Sequence, residues 1–299
     1  MEKLILLFIC FGLGILLKTL PNFPKNTHLG INTFVIYVSL PAISLRYIPE
    51  IQISWTMLYP FFSGFLIFFL AYLFFRILAS LIPLSKAEEG CLILTCGLGN
   101  TSFLGFPVIE GLYQEQGLQI ALLVDQGTFL ALASGGIFLA MYYSGSEVKM
   151  NNIGKRILYF PPFLAFVAAL CLIPFEIPEI FTKVLNQLGG TLTPLALFSV
   201  GLQLEWKVKA FPGRHFALGL LYKLGLAPLV VLLGLKIGGF SGGYISQVTV
   251  LEAAMPPMIT ASILASQYKL APSLANYLAG MGIFVSFLSL TLWYFFLSS

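Results

Sequence analysis

The sequence predicts an all-α polytopic membrane protein, and three observations carry that prediction. Of its 299 residues, 58% are hydrophobic and only 9% are charged, with a mean hydropathy of +0.93. A water-soluble domain carries about a quarter of its residues charged. Apolar stretches consume nearly the whole chain, which leaves no room for a sizeable soluble domain. Finally, glycine and proline interrupt the apolar pattern at matching places in the two halves.

A membrane-spanning helix takes about 20 apolar residues. Ten stretches qualify, at roughly 2–20, 27–48, 54–82, 87–115, 118–144, 153–174, 179–203, 210–235, 243–268 and 271–297. The first has Lys3 ahead of its apolar run, like a secretory leader, but no small-x-small cleavage site follows, so it reads as a span. The longest polar connection is short, Ser144 to Lys155.

Lysine and arginine divide unequally between alternate loops. One side holds eleven: Lys18, Lys25, Arg76, Lys86, Lys149, Lys155, Arg156, Lys207, Lys209, Arg214 and Lys269. The other holds four, Lys3, Arg46, Lys183 and Lys236, with Lys223 left inside a span. Basic residues accumulate on the cytoplasmic side, so both termini are expected outside the cytoplasm. The net charge of +4 is scattered between spans, where it sets orientation and does not build a nucleic-acid surface. Cys10, Cys91, Cys96 and Cys171 fall in or beside apolar runs and read as small buried hydrophobes, not as disulfides or metal ligands.

Ten spans divide into five and five, residues 1–150 and 151–299, and an odd number forces the second set upside down if it copies the first. The punctuation supports a copy. Pro41 in "SLPAISL" has a counterpart in Pro194 in "LTPLALFSVG". Pro107 follows Pro41 by 66 residues, in the interrupted fourth span, and Pro256 follows Pro194 by 62, in the ninth. Unwound backbone at membrane depth persists only where protein or a water-filled cavity covers it. Paired interruptions in two halves are the best sequence pointer to the binding site of an inverted-repeat transporter. In "CGLGNTSFLGFPVIEG" the interruption is expected from Gly99-Asn100 through "LGFP", the helix stopping before Gly105 and restarting near Pro107, and a second stop is expected at Met255, Pro256 and Pro257. Each break exposes carbonyls at one half-helix end and amides at the next, which favour cations and anions respectively.

Ionisable groups inside spans default to functional hypotheses. Asp125 is the chain's single aspartate, and Glu252 sits one helical turn before Pro256. Asn100 and Thr101 stand at the first break. Gln126 and Thr128 flank Asp125, and Gln247 precedes Glu252 by about one and a half turns. Carboxylates with amide and hydroxyl oxygens suit a hard cation such as sodium, at Asn100, Asp125 and Glu252, or equally a proton. Lys223 is too central to reach either surface easily; it neutralises a carboxylate, attracts an anionic substrate, or forms a structural salt bridge. Arg46, Arg76, Lys86, Glu88 and Glu89 lie near span ends and read as interface anchors. "LGGTLTP", at 188–194, is either a pocket wall or a close-packing segment.

The stretches "GNTSFLGFP", "DQGTF", "TPLALFSVGLQL" and "EAAMPPMITASILASQY" together resemble the auxin efflux carrier family, in its bacterial branch, over essentially the full chain. The resemblance implies ten helices in two inverted repeats of five, with helices four and nine broken and crossing, and extends to the fold of sodium/bile-acid symporters. There a panel domain from helices one, two, six and seven supports a core from helices three to five and eight to ten, with elevator-like transport. It favours Asn100 and Glu252 as cation-site positions. Plant members are regarded as lacking sodium coupling, so sodium and proton both stay open. A homodimer through the panel is also implied.

The expectation is therefore a secondary transporter of a small organic anion, a carboxylate, lodged in a bacterial inner membrane. Its substrate site is built from Asn100, Thr101, Gly105, Pro107, Pro256, Pro257 and Lys223, with Asp125, Gln126, Gln247 and Glu252 handling the coupling ion. No cofactor is expected beyond that ion. An intramembrane enzyme lacks its usual tools: one aspartate cannot form a two-aspartate site, and His28 and His215 lie near span ends. A channel, or a receptor that binds ligand without moving it, is the alternative; saturable counterflow separates a carrier from both.

Overall fold

The computed structural model describes residues 2–51, 54–145, 159–204, 213–240 and 242–298. Residues 146–155 of the polar connection lie outside the described residues, as do Lys149, Lys155, Arg156, Lys207 and Lys209 of the charge count. Among the described residues the chain is helical throughout, and its β-type pairing is one isolated bridge.

In chain order the helices are α1 (Glu2–Leu17), α2 (Thr27–Glu50), α3 (Trp55–Leu81), α4 (Lys86–Gly97), α5 (Thr101–Ser144), α6 (Pro161–Leu172), α7 (Glu179–Gly190), α8 (Leu192–Gln203), α9 (Gly213–Ile237), α10 (Gly243–Ala253), α11 (Ile259–Gln267) and α12 (Pro272–Ser298). Five of them, α2, α3, α5, α9 and α12, are long and apolar enough to cross a membrane. The chain is a polytopic membrane protein.

One boundary falls where the sequence placed it and one differs. Residues 101–144 run as two helical stretches that meet at Gln114, next to residue 116 where two spans were expected to meet. The junction survives as a kink at Gln114, with φ 55° and ψ −146°, a conformation uncommon for a residue with a Cβ. The stretch 179–203, expected as one span, is two helices, because α7 ends at Gly190 and Thr191 starts α8 afresh.

The helices group into two compact units, each drawn from both halves of the sequence. The first comprises Met1–Ser54, Ser102–Leu122 and Lys155–Leu204. Its central contact is α1 against α8. A Cβ built on Gly14 would fall 2.3 Å from the Phe198 carbonyl oxygen, and one on Gly201 would fall 2.3 Å from that of Phe11. The two backbones touch because both positions are glycine, the small-residue packing typical of membrane helices. Polar side chains tie α2 to its neighbours in this unit: Ser199 donates to Asn32 at 2.5 Å, and the Ser39 and Thr191 hydroxyls lie 2.7 Å apart. Pro41 is accommodated because α2 loosens into a π turn at Val35–Ser39, and the proline then occupies the first turn of the resumed helix.

The second unit comprises Trp55–Thr101, Leu123–Gly154 and Glu205–Ser299. Here α3 meets the later part of α5 through glycine on both sides. A Cβ on Gly127 would fall 1.7 Å from the Phe61 carbonyl oxygen, and one on Gly64 2.6 Å from the Thr128 nitrogen. α9 carries a π turn, Leu221–Leu226, followed by Pro228, which has no N–H to offer the Leu224 carbonyl four residues earlier. Trp293 of α12 satisfies that carbonyl instead, its indole N–H donating at 2.9 Å. The Tyr222 hydroxyl donates to the Ile67 carbonyl of α3 at 2.5 Å.

At the start of α4, Ser85 and Glu88 form a capping box that supplies partners for two otherwise orphaned N–H groups. Glu89, read from sequence as an interface anchor, is instead 3% exposed, accepting from the Tyr143 hydroxyl at 2.7 Å and from Arg76 at 3.3 Å. A carboxylate tied to two donors can be buried, which position near a span end did not reveal.

Candidate functional site: two helix interruptions that pair

The first interruption falls at Leu98–Asn100, ahead of Gly105 and at the Gly99-Asn100 end of the expected stretch. α4 ends at Gly97, Leu98 is extended at φ −125° and ψ 130°, and the chain resumes at Thr101 in a π turn that runs to Gly105. Pro107 is no break: it is the second residue of the resumed α-helix, where a missing N–H costs nothing. The second interruption falls where Met255-Pro256-Pro257 predicted it, between Ala253 and Ile259.

Within the second unit the two interruptions satisfy each other. The Asn100 N–H donates to the Pro256 carbonyl at 2.8 Å, and the Met258 N–H donates to the Leu98 carbonyl at 3.0 Å. Gly99 and Pro257 face each other between these bonds as an antiparallel bridge. Backbone groups that would each cost several kcal/mol in hydrocarbon are thereby paired. Close approach depends on small neighbours: a Cβ on Gly282 of α12 would lie 2.9 Å from Pro257 Cδ.

Lys223 reaches this bridge. It is 0% exposed, held on the π turn of α9, and its ammonium donates to the Ala253 carbonyl at 2.6 Å. Ala253 is the last residue of α10, so the charge sits at the negative end of that helix dipole. A Cβ on Gly99 would be only 3.1 Å from Lys223 Nζ, so glycine there leaves the ammonium its room. Among the described residues no carboxylate lies within 4 Å of Nζ, so Lys223 caps a helix end directly and Glu252 acts on it from beyond ion-pair contact.

The other singled-out side chains divide into tied and untied groups. The Thr101 hydroxyl donates to Asp125 Oδ1 at 2.5 Å, joining the first interruption to α5. Thr128 turns back to the Val124 carbonyl of its own helix, and the Gln247 amide donates to the Leu297 carbonyl of α12. By contrast, Asn100 Nδ2, Gln126 Oε1 and both carboxylate oxygens of Glu252 are buried without a hydrogen-bond partner. Native interiors pair nearly all such groups, so each orphan calls for a function or a ligand. Gly105 and Pro107 are buried in the Ser102–Leu122 stretch that groups with the first unit. No cluster of three histidine, cysteine or acidic side chains occurs among the described residues. Sequence reasoning missed the role of the Ala253 carbonyl, because a backbone atom leaves no signal, whereas Gly282 lies in "AGMGIF", whose small residues read as a packing site.

These features define an integral membrane protein with a buried polar centre where two broken helices meet. Over residues 1–294 the chain matches the family model described as membrane transport protein, and it belongs to that family, the auxin efflux carriers. It is 30% identical over 299 residues to an uncharacterized transporter of Methanothermobacter thermautotrophicus, covering 98% of this chain and 96% of the relative. A second uncharacterized transporter, from Methanocaldococcus jannaschii, is 29% identical with 82% of each chain covered. A Rhizobium meliloti protein named "putative malonate transporter" is 24% identical over 276 residues, covering 86% of this chain and 82% of its own. The family and these names indicate a membrane transporter and not an enzyme.

Proposed function

We propose that the protein is a secondary transporter of a small organic anion, a carboxylate, bound at the paired interruptions and moved by elevator-type alternating access. One observation carries the reading: a fully buried ammonium, Lys223, stands beside the bridge with no carboxylate within 4 Å among the described residues. A buried charge with no carboxylate in direct contact is costly even with Glu252 acting on it from further off, and an incoming anion is the partner that relieves the cost. The amides at the starts of α5 and α11 add positive potential. The name of the Rhizobium meliloti relative supports a dicarboxylate such as malonate as the first substrate to try.

In this reading the ten stretches are ten spans in two inverted repeats, with α4 and α5 crossing α10 and α11 at the membrane midplane. The panel and core are the moving partners, two copies dimerise through the panel, and both termini face away from the cytoplasm of a bacterial inner membrane. Glu252 takes the coupling ion. Its two unpartnered oxygens, and the unpartnered Gln126 Oε1, are oxygens of the kind that take a proton or a sodium ion. A proton is favoured, because the Lys223 ammonium bonds to the residue directly after Glu252 and repels a second fixed cation.

The test is thermal stabilisation of the purified protein by mono- and dicarboxylates, indole acids and bile acids, each with and without sodium. A ligand that binds the native state raises its stability by mass action. Stabilisation by a dicarboxylate without sodium is the expected result. Stabilisation by neutral analogues alone would overturn the anion reading, and a strict sodium requirement would overturn the proton.

A further inference from the structure

A partly open cavity of ≈ 260 Å³ lies wholly inside the first unit, and its wall carries the bases Lys3 and Arg46, the acids Glu110 and Glu115, and Asn186 and Gly190. That is smaller than the roughly 300–1,000 Å³ of pockets that hold drug-sized ligands, and suits a molecule of a few carbons. Arg46 is oriented before any ligand arrives. Its Nε donates to Asn186 Oδ1 at 2.9 Å, its Nη1 pairs with Glu50, and its guanidinium stands 5.0 Å from the Tyr47 ring centroid. Its side chain is only 13% exposed. A planar, fixed guanidinium is the preferred partner of a carboxylate.

The second cation is Lys3, whose ammonium lies 2.8 Å from Glu110 Oε1, while the Thr193 hydroxyl donates to Glu110 Oε2 at 2.6 Å. Both bases therefore already hold carboxylates, and both pairs have one half-exposed member, Lys3 at 48% and Glu50 at 53%. Pairs of that kind contribute little and exchange readily. Room for a ligand is built in, since a Cβ on Gly190 would meet nothing within 4 Å.

We propose that this cavity is a binding site for a short dicarboxylate, separate from the paired interruptions: one carboxylate docks on Arg46, and the other replaces Glu110 on Lys3. The ligand class rests on the anion reading above. Glu110 lies ten residues beyond Asn100 on α5. Its release from Lys3 unfastens that stretch from α1, so ligand arrival acts on the helix that follows the first interruption. In the proposed orientation Lys3 and Arg46 are on the non-cytoplasmic side, and the cavity receives anions from there.

Calorimetric titration of purified protein with malonate tests the site, and the Lys223→Met protein isolates it because the interruptions then lack their cation. Lys223→Met is expected to keep one malonate site per chain. Adding Gly190→Leu, which fills the cavity, or Arg46→Gln is expected to weaken that site at least tenfold. Glu110→Gln removes the internal competitor and is expected to tighten it several-fold, a gain that misfolding cannot imitate. If wild type binds malonate but Lys223→Met does not, the cavity site falls and the interruption site stands. If Lys223→Met binds as wild type with one site in each, the cavity stands and the interruption reading falls. Malonate binding untouched by Gly190→Leu and Arg46→Gln, or no binding by wild type, overturns the proposal.

Discussion

Replacing Lys223 with methionine separates the function of that side chain from its contribution to folding. Methionine keeps the length and the apolar stem and deletes the charge. The Ala253 carbonyl loses its 2.6 Å donor, and leaving such a buried group unsatisfied costs about 1–3 kcal/mol. Deleting the ammonium also removes its desolvation penalty, which after relaxation is several kcal/mol per buried ion. The two oppose, so the melting temperature in detergent is expected to stay close to that of wild type. Anion binding has no such compensation. Two unit charges about 4 Å apart in an effective dielectric of about 20 attract by about 4 kcal/mol. At about 1.4 kcal/mol per decade, the loss is roughly 700-fold in affinity. Uptake of radiolabelled malonate into proteoliposomes should therefore show KM raised by two to three orders of magnitude, without loss of folded protein. Wild-type KM in a well-folded Lys223→Met protein would refute the assignment of Lys223 to the anion.

Three further outcomes follow from the packing and the orphaned groups. Gly127→Ala drives a Cβ to 1.7 Å from the Phe61 carbonyl oxygen and should lower stability by about 1–3 kcal/mol or more, whereas Gly12→Ala, with nothing within 4 Å, should be neutral or stabilising by up to about 1 kcal/mol; paired melting curves compare them. Thr101→Val removes a donor from buried Asp125 and should cost about 1–3 kcal/mol, with Thr101→Ser restoring most of it; equal melting temperatures for all three proteins would contradict this. Glu252→Gln should bind malonate yet transport it without dependence on a proton or sodium gradient, and an intact ion dependence in proteoliposomes would remove Glu252 from the coupling role.

The membrane class was legible because composition reports the solvent directly. The second interruption was legible because adjacent prolines, Pro256 and Pro257, cannot continue a helix. The first was legible at Gly99 and Asn100, and only its far end was drawn too long: a π turn already resumes the helix at Thr101, ahead of the α-helix that carries Pro107. Asp125 meeting Thr101 was readable as a pairing of buried polar groups, and the isolation of Lys223 was not, since its partner is a backbone carbonyl. The cavity of the first unit showed in sequence only through "LGGTLTP", read as a pocket wall or a packing segment, whose Gly189 and Gly190 line it. Lys3, Arg46, Glu110 and Asn186 are brought together from four separate stretches, and each alone resembles an ordinary residue near a span end. The kink at Gln114 has no proline at its centre, and the boundary placed between residues 115 and 118 lies beside it, where Gln114, Glu115 and Gln116 interrupt the apolar pattern.

Counterflow in proteoliposomes tests the central claim most directly. Vesicles loaded with unlabelled malonate and diluted into trace radiolabelled malonate should accumulate label transiently, with saturation by internal substrate and abolition by Lys223→Met. Label that only equilibrates, at a rate linear in concentration and indifferent to internal malonate, would contradict a carrier built around the paired interruptions and point to a channel.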